Sequence, residues 1–164
     1  MVKKILIGLI SLILMFLATN QILKKVYLEE LGKEYYLYRT DFNVLKSRTD
    51  ANLELIDILK ISYDNEYIIA SRIPYDKYLC GKDIYRKFNI REEYILIDKK
   101  NKQYYATFNY SKFKSFIEKL NINLSLAKKD KSLFDRRKHL YESSKNINMG
   151  QCKKISSYIN FHQI

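Results

Sequence analysis

The chain has 164 residues, 30 Lys and Arg against 18 Asp and Glu, four glycines, one proline and two cysteines. That length suits a short leader and one domain able to bury about two-thirds of its unfolded surface. Two distant cysteines exclude a C-x-x-C redox pair, while a net charge of +12 favours acidic protein, anionic lipid or nucleic acid as a partner.

Lys3 and Lys4 precede an apolar run from Ile5 to Ala18, whose body is Ile5, Leu6, Leu9, Ile10, Ile13, Leu14, Phe16 and Leu17. A basic head before such a run is the form of an export signal. Extension through Thr19-Asn20-Gln21 to Leu23 gives 19 residues, roughly 28 Å as a helix, close to a bilayer core. A cut after Ala18 would put Phe16 in a pocket that requires a small side chain. Residues 1–25 are therefore expected to be an uncleaved, signal-like anchor that meets the membrane through residues 5–23. The expected location is a bacterial inner membrane, crossed once, with the C-terminal domain outside. Secretion after cleavage and a buried core helix are the alternatives.

Residues 26–33 read as a short stalk ending near Gly32, and Tyr35 to Thr40 as a first strand. In Leu53 to Ile61, Leu53, Leu55, Leu59 and Ile61 follow a period of two while Leu53, Ile56 and Lys60 fit a helix; a strand is expected, with the helix as the alternative. Tyr63-Asp64-Asn65-Glu66 supplies turn residues before the β-rich Tyr67 to Ile73, predicting a hairpin. A second hairpin runs from Glu93 to Asp98, through Lys99-Lys100-Asn101-Lys102, and back along Gln103 to Phe108. Asn109 then caps a helix on which Phe113, Phe116, Ile117 and Leu120 form one apolar stripe. A further helix is expected over Ser125 to Tyr141, with Leu126, Leu133, Phe134, Leu140 and Tyr141 inward. The predicted fold class is α+β: an N-terminal anchor helix, then a small antiparallel sheet packed by one or two helices over residues 34–141. Residues 142–164 read as a basic, loosely ordered tail.

Between the hairpins, Pro74 to Arg91 reads as a linker that interleaves Tyr75, Lys77, Tyr78, Lys82, Tyr85, Arg86, Lys87 and Phe88. Long loops within compact domains are often binding segments, and aromatic and arginine side chains carry much of the energy at interfaces. These eight residues are the candidate partner-binding site; an exposed solvated loop is the alternative. Cys80 and Cys152 permit one bridge, which would close about 73 residues and contribute on the order of 4 kcal/mol by loop-closure entropy. Two unpaired thiols remain the other reading.

Asp64-Asn65-Glu66-Tyr67-Ile68-Ile69-Ala70, Tyr94-Ile95-Leu96-Ile97-Asp98-Lys99 and Tyr105 through the helix to Leu120 together resemble an uncharacterised family of small bacterial lipoprotein-like envelope proteins, a domain of unknown function. The resemblance spans about residues 35–122. Where that family often carries Tyr-Gly-Pro-Leu-Ser before the helix, this chain has Tyr105-Ala106-Thr107-Phe108-Asn109, and it lacks the lipid-modified cysteine of many members. The resemblance implies a small sheet with a helix facing outward from the inner membrane. It implies no activity.

His139 and His162 stand apart from any second ligand at metal spacing, so neither a metal nor a cofactor is expected. Asp57, Asp64, Glu92, Glu93 and Asp98 could pair for acid–base work, yet each has an ordinary place at a strand end or turn. No phosphate loop, nucleophile elbow or nucleic-acid signature is found; nucleic acid is set aside as a partner and anionic lipid kept. Much of the positive charge also matches what A+T-rich codons produce on a solvated surface. The functional expectation is a membrane-anchored, non-enzymatic envelope protein that binds another protein, in one version an immunity-like protein that neutralises a toxin. The alternatives are a structural or regulatory subunit of a membrane complex and an enzyme without a recognisable motif.

Overall fold

The computed structural model describes Ser11, Leu12, Met15 and residues 28–39, 42–89, 91–126, 137–139, 141–143, 148–155 and 161–164. Its strands are β1 (Leu28–Glu30), β2 (Tyr35–Tyr38), β3 (Val44–Ser47), β4 (Glu54–Leu55), β5 (Ile58–Tyr63), β6 (Tyr67–Arg72), β7 (Tyr75–Cys80), β8 (Asp83–Phe88), β9 (Glu93–Asp98), β10 (Gln103–Thr107), β11 (Lys153–Ile155) and β12 (His162–Gln163). One ten-residue helix, α1 (Tyr110–Lys119), follows β10.

The chain is thus mostly β, which corrects the α+β expectation with its anchor helix. Among the described residues no helix is long and apolar enough to cross a membrane. The transmembrane, signal-anchor and inner-membrane expectations are corrected on the same ground. The uninterrupted apolar run Ile5 to Ala18 has 14 residues, fewer than the ~20 that a spanning helix needs. The eight apolar positions named for the anchor, Ile5, Leu6, Leu9, Ile10, Ile13, Leu14, Phe16 and Leu17, lie outside the described residues.

Three sheets result: β1-β2-β3-β4, β12-β10-β9-β6-β5 and β11-β7-β8. All pairings are antiparallel except β12 on β10. The first sheet lies face to face with the second. Tyr35, Leu37, Leu45 and Leu55 from the one meet Ile58, Ile68, Ala70, Ile95, Ile97 and Ala106 from the other in one buried cluster. Residues of opposite parity on the central strands, Ile69 and Leu96, turn to the far face and meet Phe113 and Ile117 of α1 and Ile122. Because β6 and β9 are covered on both faces, their sequences are nearly continuous apolar runs and not alternating ones.

Local chemistry sets the turns. The Asp64 carboxylate accepts from the amides of Glu66 and Tyr67 at 2.8 and 2.7 Å between β5 and β6, and Asp98 accepts from the Asn101 amide at 2.9 Å between β9 and β10. Asn109 caps α1 by accepting from the Lys112 amide at 3.1 Å. Within the expected stripe Phe113 and Ile117 are buried, while Leu120 at the C-cap is exposed.

Several expected elements differ. Leu53 to Ile61 is two strands, not one, because Asp57 takes φ +67° and carries the chain from the first sheet to the second. Leu28–Glu30 of the expected stalk is a strand on the edge of the first sheet. Most of the expected Ser125–Tyr141 helix, including Leu133, Phe134 and Leu140, lies outside the described residues; Ser125 and Leu126 are not helical, and residues 137–139 and 141–143 are. In the expected loose tail, β11 joins the third sheet and β12 the second.

Candidate functional site

The segment Pro74 to Arg91, expected to be a linker, is instead a hairpin. β7 and β8 pair over their full six residues, from Tyr75↔Phe88 to Cys80↔Asp83. Gly81 and Lys82 make the two-residue turn, with Gly81 at φ +66°, the left-handed value that favours glycine at the first turn position. The linker reading failed because β8 has no buried apolar face, and therefore no period-two signal. Five of the six β8 residues are exposed.

Two fastenings hold this arm. At its base, Phe88 sits 5.1 Å from Tyr141, 5.5 Å from Tyr75 and 6.3 Å from Phe42, ring centroid to ring centroid. At its tip, Cys80 is disulfide-bonded to Cys152, with Cα atoms 4.5 Å apart. The bridge brings β11 alongside β7, with Lys153 opposite Leu79 and Ile155 opposite Lys77. A Lys154–Asp76 ion pair at 2.9 Å adds a polar clasp.

The eight predicted site residues all fall on this arm, but on two faces. Register and strand alternation place Tyr75, Lys77, Arg86 and Phe88 on one side, and Tyr78, Tyr85 and Lys87 on the other; Lys82 is in the turn. The Arg86 guanidinium lies 5.6 Å from the Tyr75 ring centre and the Lys77 ammonium 6.0 Å from it, a cation–π arrangement that keeps the cations upright. Two members were missed by sequence reasoning: Leu79 and Ile84, opposite one another near the tip and 38% and 61% exposed. An apolar cross-strand pair left in water is the signal that marks them.

The arm rests on a buried polar knot. Asp57, fully buried, accepts hydrogen bonds from Arg137 and from the Tyr141 hydroxyl, and the Arg137 guanidinium sits 5.3 Å from the Phe42 ring centre. Burial pushes the Asp57 carboxyl up from its ordinary value, opposed by the Tyr141 hydrogen bond and the Arg137 charge. Burial and the neighbouring Asp57 carboxylate push the Tyr141 phenol well up. The two groups are thus hydrogen-bonded to one another beneath the arm.

Beside the arm's base a cleft of about 530 Å³ is lined by residues that include Glu54, Arg72, Asp76, Lys77, Glu93 and Phe161. Its carboxylates are engaged: Glu93 with Arg72 at 2.7 Å, Glu54 with Lys46 at 2.9 Å, and Asp76 with Lys154. The Lys46 hydrogen bond holds the Glu54 carboxyl below its ordinary range. Of the other carboxylates considered, Glu92 pairs with Lys60 at 2.9 Å, and Asp64 and Asp98 shape turns. His162 stacks near Tyr105 at 5.4 Å, and His139 is exposed. Among the described residues no three His, Cys, Asp or Glu side chains stand together as a metal-binding group. The chain matches no protein-family model, no curated protein and no solved structure.

Proposed function

We propose that this is a non-enzymatic binding protein that engages another protein through the faces of the β7–β8 arm. One observation carries the reading: six residues of paired strand project aromatic, basic and apolar side chains that the core does not use. Preorganisation supports it further, since the disulfide and the Phe88 cluster fix the backbone before any partner arrives, and ordering cost is what usually limits protein association. Lys77, Lys82, Arg86, Lys87, Lys153 and Lys154 outnumber Asp76 and Asp83 on the same three-stranded unit, so the partner surface is acidic. Complementary charge raises the encounter rate and fixes the orientation, while Tyr78 and Tyr85 on one face and Leu79 and Ile84 on the other supply the desolvated contact.

The test places a photo-cross-linking residue at position 79 on the arm or at position 118 on the solvent face of α1, in the full-length chain in its native cells. A discrete cross-linked product from position 79, absent from position 118 and lost in Tyr78→Ala/Arg86→Ala, is the expected result. Equal labelling from both positions contradicts the reading.

A further inference from the structure

Edges of sheets are liabilities, and proteins shorten, bulge or charge them to prevent pairing with another chain. Among the described residues every edge but one is short or bulged, and the exception, β8, carries charge of both signs in Asp83, Arg86 and Lys87. β1 and β11 have three residues and β4 and β12 two, while β5 carries a register break between Ile58 and Lys60. β8 has six residues in unbroken register and ends its sheet.

The direction of its backbone groups follows from one hydrogen bond. Asn89 N–H donates to the Pro74 carbonyl at 2.8 Å, and antiparallel alternation then turns the amides of residues 87, 85 and 83 toward β7. Those of Ile84 and Arg86 point away from it. A strand that adds to this edge must exchange its hydrogen bonds with these two residues.

We propose that the occupant is a second copy of this chain, added antiparallel through β8 about a two-fold axis at Tyr85. Outward residues must meet outward residues, which puts the axis through a residue; centring on Asp83 or Lys87 sets that charge against itself and Phe88 is the strand's end, which leaves Ile84, Tyr85 and Arg86. Centring on Ile84 sets Lys82 against Arg86, and centring on Arg86 sets Arg86 against itself. Both oppose like charges on adjacent strands. Centring on Tyr85 sets Ile84 against Arg86 twice, giving two hydrogen-bond-exchanging pairs, and sets Asp83 against Lys87 twice on the face that also carries the paired Tyr85 rings. That register is self-complementary in hydrogen bonding and in charge, as an isologous interface requires. The product is a six-stranded sheet, β11-β7-β8-β8-β7-β11, which leaves both faces of each arm open to other partners. The dimer rests on the edge and its register, independently of partner binding by those faces.

The experiment is sedimentation equilibrium of the full chain under non-reducing conditions, with circular dichroism as a check on folding. Wild type is expected to sediment at about twice 19.7 kDa. D83K and K87D, each at an exposed side chain, should weaken dimerisation on the order of tenfold or more. D83K/K87D, and a one-to-one mixture of the two single variants, should restore it, because opposite charges again face each other. A monomeric wild type, dimers undiminished by D83K, or a mixture that stays monomeric overturns the proposal. Cross-linking from position 79 to a different protein persists in D83K if only the dimer fails, so that the two readings separate.

Discussion

β6 pairs with β9, and β7 with β8, each over six residues and in the same antiparallel sense, yet the two ladders have opposite fates. The first is sealed between another sheet and a helix, with Ile68, Ile69, Ala70, Ile95, Leu96 and Ile97 at 0% exposure. The second stands in water, and its apolar residue Ile84 is 61% exposed. Backbone pairing is common to both, so it cannot be what sets their sequences. Burial dictates the side chains of β6 and β9, whereas most of β8 is exposed and the arm is held by two fastenings.

The joint beneath the arm is where that contrast breaks most sharply. Arg137→Met leaves the Asp57 carboxylate buried without its cation, a loss of roughly 3–5 kcal/mol in denaturant unfolding. Asp57→Ala should be worse than Asp57→Asn, because position 57 has φ +67° and asparagine tolerates that region.

Removing the tip fastening is next in size. Cys80→Ser/Cys152→Ser opens a closure of 72 residues in sequence separation, worth about 4 kcal/mol at most by chain entropy. Limited proteolysis should then cut within residues 75–89 before it cuts β6 or β9. Simultaneous cleavage of both ladders would mean that the arm is not a separable part.

On the sandwich side, Asn109→Ala removes the α1 cap and should cost about 1 kcal/mol, read as a lower melting temperature with no change at the arm. The smallest effect is a pH dependence. Glu54 has a depressed folded-state pKa, so its contribution is present above the ordinary carboxylate range and is lost as pH falls through the depressed value. Its partner Lys46 and Glu54 itself are both over a third exposed or nearly so, so added salt should erase most of the effect. A melting temperature that rises on acidification through that window would contradict the sign.

The buried ladder was legible in the sequence and the exposed one was not. Tyr67 to Ile73 and Glu93 to Asp98 announce strands because a sheet covered on both sides needs unbroken β-rich apolar residues, and Asp64 and Asn101 mark the turns beside them. Asn109 and the Phe113–Ile117 spacing announce α1. The arm's residues were identified as the candidate surface, but its strand form was hidden: side chains without a buried face follow no period. The split at Asp57 was hidden for a different reason. A charged residue in an apolar run looks like a solvent-facing position, and only the distant Arg137 and Tyr141 make its burial tolerable. The membrane-anchor expectation gave a 14-residue run the weight of a full span by counting the polar Thr19-Asn20-Gln21 as part of it.

The division of labour between sandwich and arm is tested most directly by Tyr78→Ala/Tyr85→Ala/Arg86→Ala, measured for unfolding free energy and for cross-linking from position 79 in the same preparation. The account predicts a stability within about 0.5 kcal/mol per site of wild type and the loss of the cross-linked product. A stability loss of several kcal/mol, or cross-linking that survives the triple substitution, would contradict it.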